Sequence, residues 1–509
     1  MAIGIWVLND QLHLQQAALA SSQPHGARVL LVESLSVLNT KPHIQKQILF
    51  WAAQRAFAAE LRSAGWVVDL VEAPSYEDAL NSWIANHGIG ELRLMTPSDR
   101  PIKLAIEKLA AYSKCAWQLR WFDNNQFMWS QAEFANWAQG KRSLRLEYFY
   151  REGRRRFGVL MDGDQPLGGQ WNFDKENRKP PKTGLKGPEA LWFTPSETTN
   201  AVIKKLEELQ PIYELSGISK PFKWAVSRQQ ALLVLENFIS TRLADFGPYQ
   251  DAMVQGESTL WHALLSPYLN LGLLHPLEVV HRLEAEGLRK KVPLASLEGV
   301  LRQIIGWREY TQGLYHHFGD SYPLSNALAA VQPLPEFIRN HSKSGMACVD
   351  NVLAELSNSG YLHHIQRLMI LANLGLLAGW NPQEYVAWFN SQFVDAHDWV
   401  MQTNVIGMGL WADAGMLASK PYAASGKYIQ RMGTYCRGCS YDPAERSGPV
   451  ACPFTVLYWD FLGRHQERFR NHPRMALMIK QLDKFSQSER QAIGATAAGF
   501  EWAQRSGLQ

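Results

Sequence analysis

The chain has 509 residues, of which 46% are hydrophobic and 19% charged, and a formal net charge of only +4. This describes a globular protein of about two or three domains, and it argues against a polycation whose whole surface grips nucleic acid. No apolar run reaches the roughly 18 residues that a membrane span needs.

The start, "MAIGIWVLNDQL", reads as a first strand and not as a signal peptide. With only 5 cysteines in the chain, this predicts a reducing cytoplasm, where CxxC pairs are more often metal-binding or redox-active than disulfides. The 19 tryptophans, beside 17 tyrosines and 21 phenylalanines, exceed what is usual. Most should fill cores, which leaves some for stacking or electron transfer.

The first 130 residues alternate in type. "IGIWVLN", "ARVLLVES", "WVVDLVEA", "ELRLMTP" and "WQLRWFD" read as strands, with helices between them. The helix "KQILFWAAQRAFAAELRSAG" ends at Gly65, a natural C-terminal stop. Such alternation predicts a parallel sheet covered on both faces, the α/β class. Asn9, Asp10 and Gln11 follow the first strand, where ligands of such sheets sit. No GxGxxG is present, so a dinucleotide site of the Rossmann type is unsupported.

From 131 to 225 the pattern weakens into a connecting segment, rich in Gly, Pro, Asn and Lys at "PLGGQWNFDKENRKPPKTGLKGP". Within it "REGRRRFG" places four arginines in six residues, either a solvated helix face or an anchor for phosphate or an acidic cofactor. From 226 to 509 helical periodicity takes over, and this part reads as all-α.

Cys436 and Cys439 form a CxxC, and Cys452 follows within "YCRGCSYDPAERSGPVACPF". A four-coordinate site needs one more ligand. Cys115 and Cys348 are the two candidates, and Cys348, at the start of a helical stretch, is the better one. Spacing leaves three readings open: metal-free thiols, zinc, or an iron–sulfur cluster, toward which the Cys-Pro step leans.

In "GYLHHIQRLMILANLG", His363 and His364 point about 100° apart on a helix, so they do not ligate one metal together. His363 and Arg367 share a face at i, i+4, and His364 and Arg367 at i, i+3. An arginine on an apolar helix needs an anion, and "QFVDAHDWV" offers Asp395 and Asp398. A buried Arg367–Asp395 pair is expected. "SPYLNLGLL" and "IIGWREY" add hydroxyl, amide, indole and guanidinium groups, which together suit a large planar ligand with phosphates.

Eight stretches in order, "GGQWNFDKENRKP", "LLSPYLNLGLL", "RQIIGWREY", "YLHHIQRLM", "TNVIGM", "KPYAASGKYI", "YCRGCSYDP" and "ACPFTVLYWDFL", resemble the cryptochrome/photolyase superfamily. The resemblance is to its iron–sulfur bacterial branch of (6-4) photolyase-like proteins. It implies an α/β antenna domain at 1–130, a linker at 131–225 and a helical domain at 226–509 that holds FAD. Its implied FAD residues are Tyr249, Leu265, Ser266, Asn270, Gln303, Arg308, Arg367, Phe389, Asp395 and Asn404. A [4Fe-4S] cluster on Cys348, Cys436, Cys439 and Cys452 is implied as well. So is a 6,7-dimethyl-8-ribityllumazine antenna near Asp10, Gln11 and Glu33.

The resemblance also implies light-driven repair of a pyrimidine lesion flipped out of damaged DNA, by a soluble monomer with no membrane contact. His364 would stand beside the lesion with His363 as its neighbour, and Trp388, Tyr422 and Tyr428 would pass electrons. The alternatives are a blue-light receptor without repair and a non-photoactive iron–sulfur nucleic-acid binder. The sequence departs from the branch at four positions. Asn340 stands where it carries Trp, Met401 where it carries Glu, and Thr403 where it carries Pro. Ala414 makes "ADAG" of its "ADGG". Asn340 is expected to interrupt an electron-transfer chain, and Met401 removes a carboxylate near the flavin.

Overall fold

Residues 2–112, 117–500 and 502 are described in the computed structural model of the chain. Cys115, one of the two candidates for a fourth sulfur ligand, lies outside the described residues. The predicted alternation is realised as β1 (Ala2–Trp6), β2 (Arg28–Ser34), α1 (Ile44–Ser63), β3 (Val67–Ala73), α2 (Tyr76–His87), β4 (Ile89–Met95), α3 (Arg100–Tyr112) and β5 (Gln118–Phe122). Every pairing among these strands is parallel, in the order β3-β2-β1-β4-β5. Strands covered on both faces are apolar throughout, and β2 is an example, with Val29, Leu30 and Leu31 fully buried. Gly65 follows α1 with φ +87°, the left-handed turn that glycine adopts at least cost.

The strand order turns back at β1. Beyond the C-terminal ends of β1 and β4 a parallel sheet therefore has its ligand crevice. Asp10 and Gln11 follow β1, and Ser98 and Asp99 follow β4.

After Phe122 the chain is helical, apart from a two-residue ladder between Met161–Asp162 and Gln165–Pro166. Between Gly169 and Ser196 the one regular element among the described residues is a single turn, Asp174–Glu176, as the turn-forming composition predicts. The arginine run lies in helix Leu146–Phe157. Arg154 is buried, and its guanidinium donates to the carbonyls of Val159, Leu160 and Trp171. Arg151 pairs with Glu147, and Arg156 with Glu133. Arg154 is thus structural, while Arg155 and Arg156 are exposed and Arg151 is half-buried, so most of the run lies on a solvated helix face.

The N-terminal end of α1 fastens the sheet region to the helices. His43 N donates to Ser391 O at 2.9 Å. The half-buried Lys46 donates through Nζ to the carbonyls of Asn390 (2.6 Å) and Ala396 (3.0 Å).

Three stretches are π-helical: Arg302–Arg308, Arg367–Ala372 and Gln402–Gly409. A π turn leaves part of the i→i−4 pattern unmade and tends to mark functional positions. These three carry Gln303, Arg308, Arg367 and Asn404. No helix among the described residues is long and apolar enough to cross a membrane.

Candidate functional site

Asp395 is the hub of the helical half. Arg367 grips it bidentately, at 2.8 and 3.1 Å. Ser266 Oγ donates to the same carboxylate at 2.6 Å, and Asn270 Nδ2 donates to the Asp395 carbonyl at 2.8 Å. Burial alone would raise the Asp395 pKa, but the Arg367 charge and these hydrogen bonds outweigh it and hold the carboxyl below its ordinary value. The guanidinium also lies 4.2 Å from the Phe393 ring centroid, and Phe393 stacks on Phe389. Expected residues from three distant segments therefore meet at one point.

Other expected residues bond to groups outside that hub. Arg308 pairs with the buried Glu309 at 2.7 Å and lies 4.2 Å over the Phe127 ring. Glu309 accepts in turn from the amides of Met128 and Trp129. The Gln303 amide donates to Gly299 O, and Asn404 Nδ2 to Val400 O. Tyr249 stacks on Trp261 at 4.7 Å, in a small separate cluster, while Leu265 lies in the main core.

His363 is fully buried, with both ring nitrogens unpaired. It stacks on His262, with centroids 4.4 Å apart and planes at 9°. Solvent reaches His364, yet desolvation lowers its pKa to about 4, with the Arg367 charge acting in the same direction. His262 falls to about 3 by burial and by its cationic neighbours. The three imidazoles are therefore neutral at pH 7, each with one N–H donor and one acceptor nitrogen.

The crevice beyond β1 and β4 is of another kind. Asp10 is buried and its pKa raised to about 6, mainly by desolvation. Asp99 is raised to about 7 by burial and by the charges of Asp398 and Asp10. Its Oδ1 accepts from Trp399 N at 2.9 Å, and its Oδ2 is 4.0 Å from His397 Nδ1. Asp10 Oδ1, Gln11 Oε1 and His397 Nε2 are buried and unpaired. Glu33, expected in this group, is instead gripped by Arg55 at 2.7 and 2.8 Å.

Cys348, Cys436, Cys439 and Cys452 are free thiols that line a single cavity, together with Gly426, Tyr435 and Phe454. Burial and the three other sulfurs push Cys348 well above its ordinary pKa, and Cys436 and Cys452 rise to about 11. Asp442 closes the loop that brings Cys452 round. It donates N–H to Val450 O (2.7 Å) and accepts from Cys452 N (3.1 Å). A Cβ on Gly426 would come within 2.8 Å of Cys452 Sγ, so glycine keeps the cavity clear. Among the described residues, no three His, Cys, Asp or Glu side chains converge on a point suited to one metal ion.

Trp388 is buried among Tyr385, Phe389, Phe393 and the His341 ring. Tyr422 and Tyr428 lie elsewhere, both within electrostatic range of Arg178 and Asp251. No ring contact joins them to Trp388 among the described residues. Asn340 is exposed and donates to Glu336 at 3.2 Å. Met401 is buried, and the Thr403 hydroxyl donates to Trp399 O at 3.0 Å. Ala414 has φ +58°, a conformation that favours the glycine expected there.

Sequence reasoning missed His262, Ser98, Asp99 and Lys46. The histidine of "LWHALLSPYLN" was a visible signal, a polar residue in an apolar run. Asp99, in "TPSDRP", read only as a loop.

Residues 5–224 match the family described as "Deoxyribodipyrimidine photo-lyase-related protein". The chain is 40% identical over 503 residues to a (6-4) photolyase of Agrobacterium fabrum, covering 97% of this chain and 98% of the relative. Among solved structures, it is similar to a bacterial class III photolyase from Agrobacterium tumefaciens (TM-score 0.56, 17% identity), over 97% of this chain and 92% of that one. It is also similar to a cryptochrome from Synechocystis sp. PCC6803 (TM-score 0.54, 12% identity), over 97% and 94%. At those identities the two structures speak for the fold.

Proposed function

The chain belongs to the photolyase/cryptochrome family, and on that premise we propose that it is a light-driven DNA-repair flavoprotein that reverses (6-4) pyrimidine photoproducts. The observation that carries the reading is the exposed His364 within electrostatic range of the buried Arg367–Asp395 pair, which we take as the face of the lesion cleft. When bound, reduced FAD supplies one electron to the lesion under blue light. Arg367 and Asp395, with Ser266 and Asn270, form the polar wall against which FAD is held. Their mutual pairing fixes each group before the cofactor arrives, so little ordering cost remains at binding.

A pyrimidine lesion within the stack cannot reach such a cleft, so the nucleotide must be flipped into it. His364 then does the acid–base work of moving a hydroxyl between bases. The neutral ring presents an N–H donor and an acceptor nitrogen. Anionic DNA entering the cleft favours its protonated form.

The four cysteines lining one cavity support a [4Fe-4S] cluster held by all four thiolates. Raised thiol pKa values mean that thiolates form there only against compensating positive charge, which an iron–sulfur core supplies. The unpaired Asp10 Oδ1 and Gln11 Oε1 at the sheet's switch point support a polar heterocycle there, in keeping with a lumazine antenna. Glu33, committed to Arg55, contributes indirectly at most. Damaged DNA is the partner, and we read the chain as a cytoplasmic monomer.

The exposed Asn340 favours one second reading, a blue-light receptor without repair. An oligonucleotide with one defined (6-4) photoproduct separates the two: pre-reduced protein restores both pyrimidines in blue light if it is a photolyase, and leaves the lesion intact if it is a receptor.

A further inference from the structure

Gln366 directly follows the histidine pair and is fully buried. Its one side chain reaches three segments. Oε1 accepts from the His363 backbone N–H at 3.2 Å. Nε2 donates to Glu355 Oε2 at 2.7 Å and to Tyr435 Oη at 3.1 Å. The first bond fixes how the chain enters the helix His364–Gln366, since a third-position side chain that returns to the cap amide sets the entry angle.

Both other partners belong to elements that carry cysteines. Glu355 lies in helix Ala347–Ser359, two turns beyond Cys348 and on the same face. Tyr435 is fully buried, lines the cysteine cavity and precedes Cys436. A single amide thus joins the two cysteine-bearing elements to the backbone beside His364. Few spare partners surround it: Glu355 Oε1 is buried and unpaired. Removing the amide would strand an N–H, a carboxylate oxygen and a hydroxyl in the interior.

We propose that Gln366 is a positioning residue for His364, and that the cysteine centre holds the histidine pair in its working geometry through this amide. The inference rests on the reading of His364 as the lesion-facing histidine, and it gives the cysteine centre a part in the reaction beyond holding the fold. Movement of a catalytic group by about 1 Å costs up to ~100-fold in rate, so a clamp at this point acts on turnover more than on binding.

The test compares Gln366→Leu, Tyr435→Phe, Glu355→Leu and Glu355→Gln in the full chain with its cofactors bound. Tyr435→Phe keeps the ring that lines the cavity and removes only the hydroxyl acceptor. Glu355→Gln keeps an acceptor for Gln366. Three quantities are read: light-saturated turnover of pre-reduced protein on a (6-4) oligonucleotide, KM for that substrate, and the His364 ring resonances by NMR.

We expect Gln366→Leu to lower kcat about tenfold with KM within about twofold. Tyr435→Phe and Glu355→Leu should lower it less, and Glu355→Gln should restore it. The His364 resonances should shift in the three impaired variants, with iron and flavin content unchanged. Wild-type kcat and unshifted resonances in Gln366→Leu and Tyr435→Phe would overturn the proposal, as would a rise in KM with kcat unchanged. If Gln366→Leu does not fold, Tyr435→Phe and Glu355→Leu decide by the same criteria. His364→Ala keeps the two readings apart: full repair by that variant defeats the assignment of His364, while the resonance shifts still judge the clamp.

Discussion

Two buried acidic sites lie within electrostatic range of Lys46, and they have opposite character. At Asp395 the carboxylate has a bidentate guanidinium, a hydroxyl and an amide around it, and its pKa is held down. At the crevice of β1 and β4, Asp10 and Asp99 crowd each other and Asp398, their pKa values rise to about 6 and 7, and polar atoms remain unpaired. The first site is complete within the protein, so a ligand there meets a rigid wall. The second is electrostatically unfinished and gains from a ligand that supplies hydrogen bonds. The cysteine cavity takes this further, with four thiols sharing one cavity and three of them raised in pKa by burial and by one another.

Replacing a cysteine should have the largest effect. Cys436→Ser is expected to give insoluble protein without iron, because a cluster that ties Cys348 to a distant loop makes its binding free energy part of the folding free energy. Soluble, flavin-loaded Cys436→Ser, measured by absorbance and iron assay, would count against this. His364→Ala should lower repair by about 10²–10⁴-fold while flavin stays bound, as single-turnover repair with pre-reduced protein would reveal.

Asp395→Asn attacks the finished site directly. It leaves Arg367 buried without its anion, at a cost of about 3–5 kcal/mol, and flavin should be lost. Chemical denaturation and the flavin-to-protein absorbance ratio measure both effects.

The unfinished site should respond in the opposite sense. Asp99 has a pKa of about 7 in the fold against an ordinary 3.8. Its contribution to stability is therefore full below about pH 4 and is lost as pH rises through 7. Asp10, Asp398, His397 and Lys46 share this environment, so the comparison with Asp99→Asn isolates the one group. The Tm of Asp99→Asn minus that of the wild type should grow from pH 5 to pH 8. A difference that is constant with pH contradicts the account of the crevice.

The smallest effect lies outside both sites. Ala414→Gly relieves a left-handed alanine and should stabilise by about 1 kcal/mol, read as a small rise in Tm.

The sheet was legible because each strand and helix declares itself through local periodicity. Strand order at β1, and with it the pairing of Asp10 with Asp99, depends on which strands neighbour one another, which no local pattern encodes. Likewise "YCRGCSYDPAERSGPVACPF" announced three clustered cysteines, while Cys348 joins them only through long-range packing. The Arg367–Asp395 pair could be foreseen, because a buried arginine demands an anion. Gln366 could not, since a glutamine in a helix's first turn usually faces water. The π-helical stretches also left no mark in the sequence, although they carry Gln303, Arg308, Arg367 and Asn404. A π turn differs from an α turn by one residue of spacing, which hydropathy does not resolve.

The most direct test of the central claim is blue-light turnover of an oligonucleotide bearing one (6-4) photoproduct, by chemically pre-reduced protein, with a dark control. Pre-reduction removes any dependence on Trp388, Tyr422, Tyr428 or the missing Trp at position 340. Light-dependent restoration of both pyrimidines is the predicted result. An intact lesion after illumination, with flavin and iron both present in the protein, would contradict it.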